Sequence, residues 1–297
     1  MDTSGCFTLD GAGSLLHFHK AVKLASGWIP VKEVHNGALK AGWVFDAEDW
    51  SWFWDVSEQL SKEETQVQQK LKDARNLLIP PSAKIVQFCG APIKGRFVLL
   101  YDPGYGSVND ELKRQHRFTE IYARTLFKQM CSAVTYAHET CLTMLDVELG
   151  NWHFTDPAKL KIRFCCFDEL RVLDDDTDLI QSRYRHLAYA SPELLQTDKF
   201  PSFSARRSDV WSMGVVIFLM TTGRYPFYAT QDRSLRWHIV NSRVMFPMHL
   251  PLALELKLLT ASCLRKNPEL RWTMRNLVSH PWFGVDYSYG LDLLHEI

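Results

Sequence analysis

SDVWSMGVVIFLMTTG, residues 208–223, decides the fold. Its run from Val210 to Met220 is interrupted only by Ser212 and Gly214, so a helix built from it is apolar on every face rather than along one stripe. Such a helix is buried. The run is far short of the roughly 20 residues that cross a bilayer, which places it at the centre of a soluble lobe, with Gly223 positioned to end it. Upstream, TEIYARTLFKQMCSAVTYAH (119–138) sets Ile121, Leu126, Met130 and Val134 near helical spacing, which predicts an amphipathic helix with these four facing the core.

The chain has 297 residues, 46% of them hydrophobic, enough for one large domain or two joined lobes. Lys plus Arg and Asp plus Glu balance at 34 each, so no global field favours nucleic acid or an anionic membrane. The opening MDTSGCFTLD lacks a basic region followed by an apolar run, and no secretory signal is expected from it. Apart from the vicinal Cys165 and Cys166, the seven cysteines are scattered without CxxC spacing, which favours reduced thiols over disulfides or a zinc site. An intracellular protein is the expectation.

Near residue 103 the character of the chain changes. Upstream, SGWIPVKEV (26–34), AKIVQF (83–88) and RFVLLY (96–101) read as strands around one helix. That helix is predicted to start at Ser61, whose capping-box partner is Glu64, and to stop before Pro80-Pro81. DPGYG (102–106) reads as a hinge. Just before that helix, GWVFDAEDWSWFWDV (42–56) concentrates Trp43, Phe45, Trp50, Trp52, Phe53 and Trp54, either as core padding or as a ring that occupies a cleft or a partner's pocket.

Taken together, SDVWSMGVVIFLMTTGRYPF (208–227), SPE (191–193), CLRKNPELRW (263–272) and LVSHPWF (277–283) resemble the C-terminal lobe of a protein kinase. The resemblance implies an α+β bilobal protein-kinase-like fold: an extension at 1–10, a small β-rich lobe with one main helix at 11–102, a larger mostly helical lobe at 103–285, and a tail at 286–297. It also implies a structural pair between Glu193 and Arg271.

Phosphoryl transfer needs a lysine and a glycine turn for phosphates, oxygen ligands for metal, and a carboxylate to take the hydroxyl proton. By resemblance, IPVK makes Lys32 the phosphate lysine, and GAGSLL supplies Gly11 and Gly13 with Leu16 in place of a third glycine. LDVELGN offers Asp146 as proton acceptor and Asn151 as metal ligand, but Met144-Leu145 replaces the usual His-Arg, and with it an arginine that reads activation-segment phosphate. The helix glutamate that would pair with Lys32 is open among Glu63, Glu64 and Asp73. In KLKIRFCC (159–166), Phe164, Cys165 and Cys166 stand where Asp-Phe-Gly is expected, and a phenyl ring offers magnesium no oxygen. Asp168 or the DDDTD run at 174–178 is the alternative ligand source. The cysteine pair reads either as a thiol switch or as two small residues in a buried turn.

DVELGNWHFTDPAKLKIRFCCFDELRVLDDD (146–176), GYGSVNDELKRQHRFTEIYARTLFKQM (104–130) and GRYPFY (223–228) are similar to the Tribbles pseudokinases. That resemblance implies an adaptor with a vestigial nucleotide site, no required cofactor and at most weak ATP binding. Its implied partners are proteins: a C/EBP-type bZIP transcription factor, a MAP kinase kinase and an E3 ubiquitin ligase, in nucleus or cytoplasm, with no direct nucleic-acid or membrane contact. His280, Pro281, Trp282 and Phe283 are the partner-binding candidates, with the alternative that they pack the last helix. GVDYSYGLDLLHEI (284–297) carries no ligase-recruiting motif of the family's kind, and its GLDLLHEI (290–297) reads as a short acidic amphipathic segment that docks a partner or folds back, or as a frayed end. The competing functions are a residual metal-independent serine/threonine kinase using Lys32 and Asp146, and an allosteric activator or inhibitor of a true kinase.

Overall fold

The computed structural model describes strand backbone at 6–8, 15–18, 27–33, 39–45, 84–87 and 97–101. It further describes residues 104–284 apart from 140, 166–170, 174–176, 183, 185 and 197–201, with 171–172 as backbone. Gly11, Gly13, Cys166, the helix predicted from Ser61 with Glu63, Glu64 and Asp73, the aromatic residues after Phe45, and the tail from 285 lie outside the described residues. Two compact units divide the chain, residues 1–106 with 165–168 and residues 107–164 with 169–297.

The first unit contains a six-stranded antiparallel sheet in the order β1-β2-β3-β4-β6-β5. Its strands are β1 (Cys6–Thr8), β2 (Leu15–Phe18), β3 (Gly27–Glu33), β4 (Leu39–Phe45), β5 (Lys84–Gln87) and β6 (Phe97–Tyr101). The three predicted strands correspond to β3, β5 and β6. Strand β4 takes the start of the aromatic segment, with Trp43 opposite Trp28 of β3 and Leu99 of β6. Leu16 lies within a ladder rather than a turn, opposite Phe7 of β1 and Glu33 of β3.

The second unit is mainly helical: α1 (Val108–Gln115), α2 (Glu120–Glu139), α3 (Ala205–Thr222), α4 (Asp232–Asn241), α5 (Leu254–Cys263) and α6 (Met274–Val278). Short antiparallel pairs decorate it. They join β7 (Leu142–Thr143) to β10 (Arg171–Val172), β8 (Trp152–Phe154) to β9 (Ile162–Phe164), and β11 (Leu179–Ile180) to β12 (Phe203–Ser204).

Helix α3 is the axis of this unit, buried from Ser208 through Thr222 as its all-round apolar sequence requires. Ser204 caps its start, its hydroxyl accepting from the Arg207 amide at 3.2 Å. At the other end Gly223 adopts φ 72°, and a Cβ there would stand 2.2 Å from the His116 carbonyl oxygen, so only glycine fits. Gly214 lets α5 approach, since a Cβ would meet Cys263 Cβ at 2.7 Å. Helix α2 packs beside α3 and buries Leu126, Met130 and Val134, but Ile121 is 48% exposed, against the sequence expectation. Five residues before Leu126, it lies about 140° around the helix and off the buried face.

Glu193 and Arg271 pair inside this unit, with Nη1 donating to Oε1 at 2.6 Å and Nη2 to Oε2 at 2.8 Å. Arg271 is 1% exposed and also donates to the Arg207 and Arg265 carbonyls at 2.8 and 3.0 Å, so its fork ties three segments together. Removing one partner strands a buried charge, so Arg271→Ala or Glu193→Ala is expected to destabilise the chain by about 3–5 kcal/mol in urea unfolding. Glu193→Asp is expected to lose less, having kept the charge.

A second carboxylate secures the β8–β9 hairpin. Glu111 of α1 accepts from Arg114, Gln115 and, at 2.6 Å, from Lys159 Nζ, and the Arg114 guanidinium foremost holds its carboxyl down to about 2. A carboxyl depressed in the fold contributes stability that is complete above its ordinary range and is lost as pH falls from about 4.5 toward 2. Glu111→Gln is therefore expected to flatten the acid limb of the unfolding curve over that window.

Candidate functional site

The loop from Thr143 to Asn151 carries the candidate catalytic residues, and a buried carboxylate in α3 holds it in shape. Asp209, wholly inaccessible, accepts from the Met144 amide at 2.9 Å, the Leu145 amide at 2.8 Å, the Thr143 hydroxyl at 2.7 Å and His138 Nε2 at 2.9 Å. These bonds keep Leu145 at φ 54°, a left-handed conformation that a leucine otherwise avoids. Sequence reasoning missed Asp209. The signal was present as the one acid of α3, directly before its apolar run, where a buried carboxylate survives only with several donors.

Asp146 follows, 8% exposed, with its amide donating to the Met144 carbonyl at 2.6 Å. The Asn151 side-chain amide donates to the Asp146 carbonyl at 2.8 Å, closing the loop on itself. The structure thus brings Asp146 and Asn151 into one turn. Lys32 lies in β3 of the other unit, opposite His17 and Leu39.

Phe164 ends β9, opposite Trp152 of β8. Its ring is fully buried and meets the Trp152 indole edge-on at 5.2 Å, so it belongs to the core of the larger unit. Cys165 is a buried free thiol. From Ile162 to Cys165 the chain supplies Ile, Arg, Phe and Cys, and none of them brings a hard oxygen ligand. These residues do not fit a magnesium ion. Asp178, the described acid of the 174–178 run, is otherwise engaged: its Oδ2 accepts from the Ser204 hydroxyl at 2.5 Å and its carbonyl from the Ala205 amide at 2.9 Å, next to the start of α3. Asp168 lies outside the described residues.

Leu145, which the sequence resemblance sets where an arginine would read phosphate, packs with Ile180, Tyr184 and Leu195 against Ala190, Leu194 and Phe203. An apolar contact joins the loop to the segment after β11.

The partner-binding candidates at 280–283 need a correction. Trp282 is fully buried, its Nε1 donating to Glu120 Oε2 at 3.2 Å, with Arg124 stacked 4.9 Å from its ring. Glu120 also accepts from the Ala253 amide at 2.7 Å, so this corner fastens α2 to the entry of α5. Phe283, half-buried, stacks on Phe127 at 6.1 Å, and His280 Nδ1 accepts from the Trp282 amide at 3.2 Å. Burial lowers the His280 pKa, against the opposing charge of Glu255. Trp282 is a packing anchor, and Pro281 is the exposed member of the four.

Placing a guanidinium among the apolar neighbours of Leu145 is expected to lower stability. Leu145→Arg should weaken the chain by about 1–3 kcal/mol and open the segment 177–196 to limited proteolysis, whereas Leu145→Met, near in volume, should leave the cleavage pattern unchanged.

Comparison with known proteins agrees with this geometry. Residues 54–283 match the family described as protein kinase domain. Tribbles homolog 2 of Bos taurus is 32% identical over 190 residues, covering 64% of this chain and 54% of that protein. Tribbles homolog 1 of Homo sapiens is 28% identical over 185 residues, 62% of this chain and 49% of that protein. Tribbles of Drosophila melanogaster is 28% identical over 189 residues, 64% and 38% respectively. The match thus spans about half the length of the vertebrate relatives and less of the fly protein. The chain belongs to the protein kinase domain family, with a bilobal α+β fold, and its similarity within that family is to the Tribbles proteins.

Proposed function

We propose that the chain is a catalytically impaired pseudokinase that serves as an adaptor, holding protein partners together in intracellular signalling. The observation that carries this reading is Phe164, a fully buried ring in the strand where a metal-binding carboxylate is needed. Losing one group aimed at transition-state charge already slows a reaction by roughly 10²–10³. Here the glycine turn and the His-Arg pair are altered as well.

The partners that fit the Tribbles similarity are a C/EBP-type bZIP transcription factor and a MAP kinase kinase, with a ubiquitin ligase as a further one, in nucleus or cytoplasm. Among the described residues no helix is long and apolar enough to cross a membrane. No cofactor is required in this reading. A residual kinase is the second reading, favoured by the intact turn in which Asn151 supports Asp146.

Two measurements decide between them. ATP with and without magnesium is expected to give no metal-dependent rise in melting temperature, because a ligand stabilises a fold only by binding it. Transfer of labelled γ-phosphate is expected to be no greater for the unaltered chain than for Asp146→Asn. Phosphate transfer that is lost in Asp146→Asn, with or without magnesium-dependent stabilisation, overturns the adaptor reading in favour of the kinase. Capture of a C/EBP-type bZIP protein by the purified chain tests the partner directly.

A further inference from the structure

We propose that the cavity where the end of α2, the start of α3 and the start of α6 meet binds a small zwitterion, an amino acid with a large apolar side chain. The inference goes beyond the adaptor reading and does not depend on it.

The cavity measures about 550 Å³ and lies within the larger unit. That size is usual for a small-molecule site. Leu179 and the buried Met274 supply the apolar part of its lining. Its walls come from elements far apart in sequence, each already held: His138 of α2 by Asp209 at 2.9 Å, Ser204 at the head of α3 by Asp178, and Thr273 at the head of α6 by a capping box with Asn276. A site ordered in advance binds with less loss of entropy than one ordered by its ligand.

The inner lining holds polar groups short of partners. The Arg206 guanidinium donates only to Cys141 Sγ, a weak acceptor at 4.0 Å, and its Nε bonds nothing among the described residues. The Thr135 hydroxyl, shielded from water, is likewise without a partner among them. His138, its side chain 10% exposed, spends Nε2 on Asp209, and Nδ1 has no partner among the described residues. Polar groups so placed are nearly always bonded, and three of them lining one cavity call for a ligand that accepts from them. A carboxylate fits, since it takes bonds from a guanidinium, a hydroxyl and an imidazolium together.

The mouth has the opposite bias. Glu139 and Glu269 are exposed and held by no ion pair among the described residues, against one exposed cation, Arg275. Arg207 and Asp178 are already engaged, donating to the Arg271 carbonyl and accepting from the Ser204 hydroxyl. Over the whole lining three arginines meet three carboxylates, so net charge selects neither an anion nor a cation. The separation of the uncommitted groups, donors within and carboxylates at the mouth, selects a ligand that carries both signs. A phosphate is disfavoured by the two glutamates and a metal ion by Arg206 and Arg275, while a purely apolar ligand leaves the inner donors unpaired.

The test uses the full chain and isothermal titration calorimetry at millimolar ligand, with L-phenylalanine, L-leucine and L-methionine as probes. Two further compounds, 3-phenylpropionate and phenethylamine, keep the phenylalanine ring and lack one charge each. L-Phenylalanine is expected to bind, and each single-charge compound to bind about tenfold more weakly or less, having lost a charge-assisted contact. Arg206→Gln is expected to weaken L-phenylalanine about tenfold or more. Glu139→Gln/Glu269→Gln is expected to reduce L-phenylalanine to the affinity of 3-phenylpropionate while binding 3-phenylpropionate no more weakly than before. Both glutamates are exposed, so this double variant should keep its melting temperature and decides the matter even where Arg206→Gln is unstable. No binding of any of the three amino acids, equal binding of the three ring compounds as an adventitious apolar contact only, or L-phenylalanine affinity unaltered in Glu139→Gln/Glu269→Gln overturns the proposal. None of these outcomes touches the adaptor reading, which the phosphate-transfer measurement decides separately.

Discussion

Asp209 is the point on which the candidate site depends. A carboxylate with no access to water is tolerable only when donors replace its hydration, and four groups from α2, β7 and the following loop converge on it. Because the donors include two successive loop amides, the same contact that stabilises the charge also fixes the path of the chain before Asp146. The hydrophobic effect supplies the frame for this polar contact. Helix α3 is held by burial on every side, so the carboxylate it carries is as well located as any atom in the unit.

The other buried charges of this unit work the same way. Glu193 meets Arg271, and Arg271 spends its remaining donors on carbonyls from the entry to α3 and the turn after α5. Glu120 takes one donor from Trp282 and another from Ala253. Each carboxylate links elements distant in sequence, and its partners fix geometry that apolar packing alone would leave degenerate. The unit is therefore specified twice, once by its apolar interior and once by a few directional bonds within it.

Much of this was legible in the sequence, and the exceptions have physical causes. Helix α3 declared itself because a helix apolar on all faces has only one stable location. Strand β4 was not anticipated, although Asn36-Gly37 between two β-like runs is a hairpin signal, because the tryptophans from Trp43 onward drew attention to side chains rather than to backbone pairing. Ile121 was misplaced because its spacing approximates the helical period without falling on the buried face. Asp209 was passed over because its donors lie about 65 and 71 residues away, and no local pattern announces a tertiary cap. The Trp282 alternative was open because an aromatic ring at a chain corner has the same composition whether it faces a partner or a core; only its bond to Glu120 and its burial distinguish the two.

Two sets of residues in the larger unit obey different constraints. Those that hold the fold (Asp209, Asn151, Gly223 and the Glu193–Arg271 pair) keep the polar or conformational property their positions require. Two residues that the sequence reading placed at positions of phosphate chemistry are apolar and packed: Leu145 joins a hydrophobic cluster, and Phe164 packs on Trp152. A buried apolar group carries no desolvation penalty and adds contact area, so both side chains stabilise the larger unit. On the adaptor reading proposed above, a fixed surface gains from such packing. A catalyst, which must keep strained and unpaired polar groups poised for a transition state, does not.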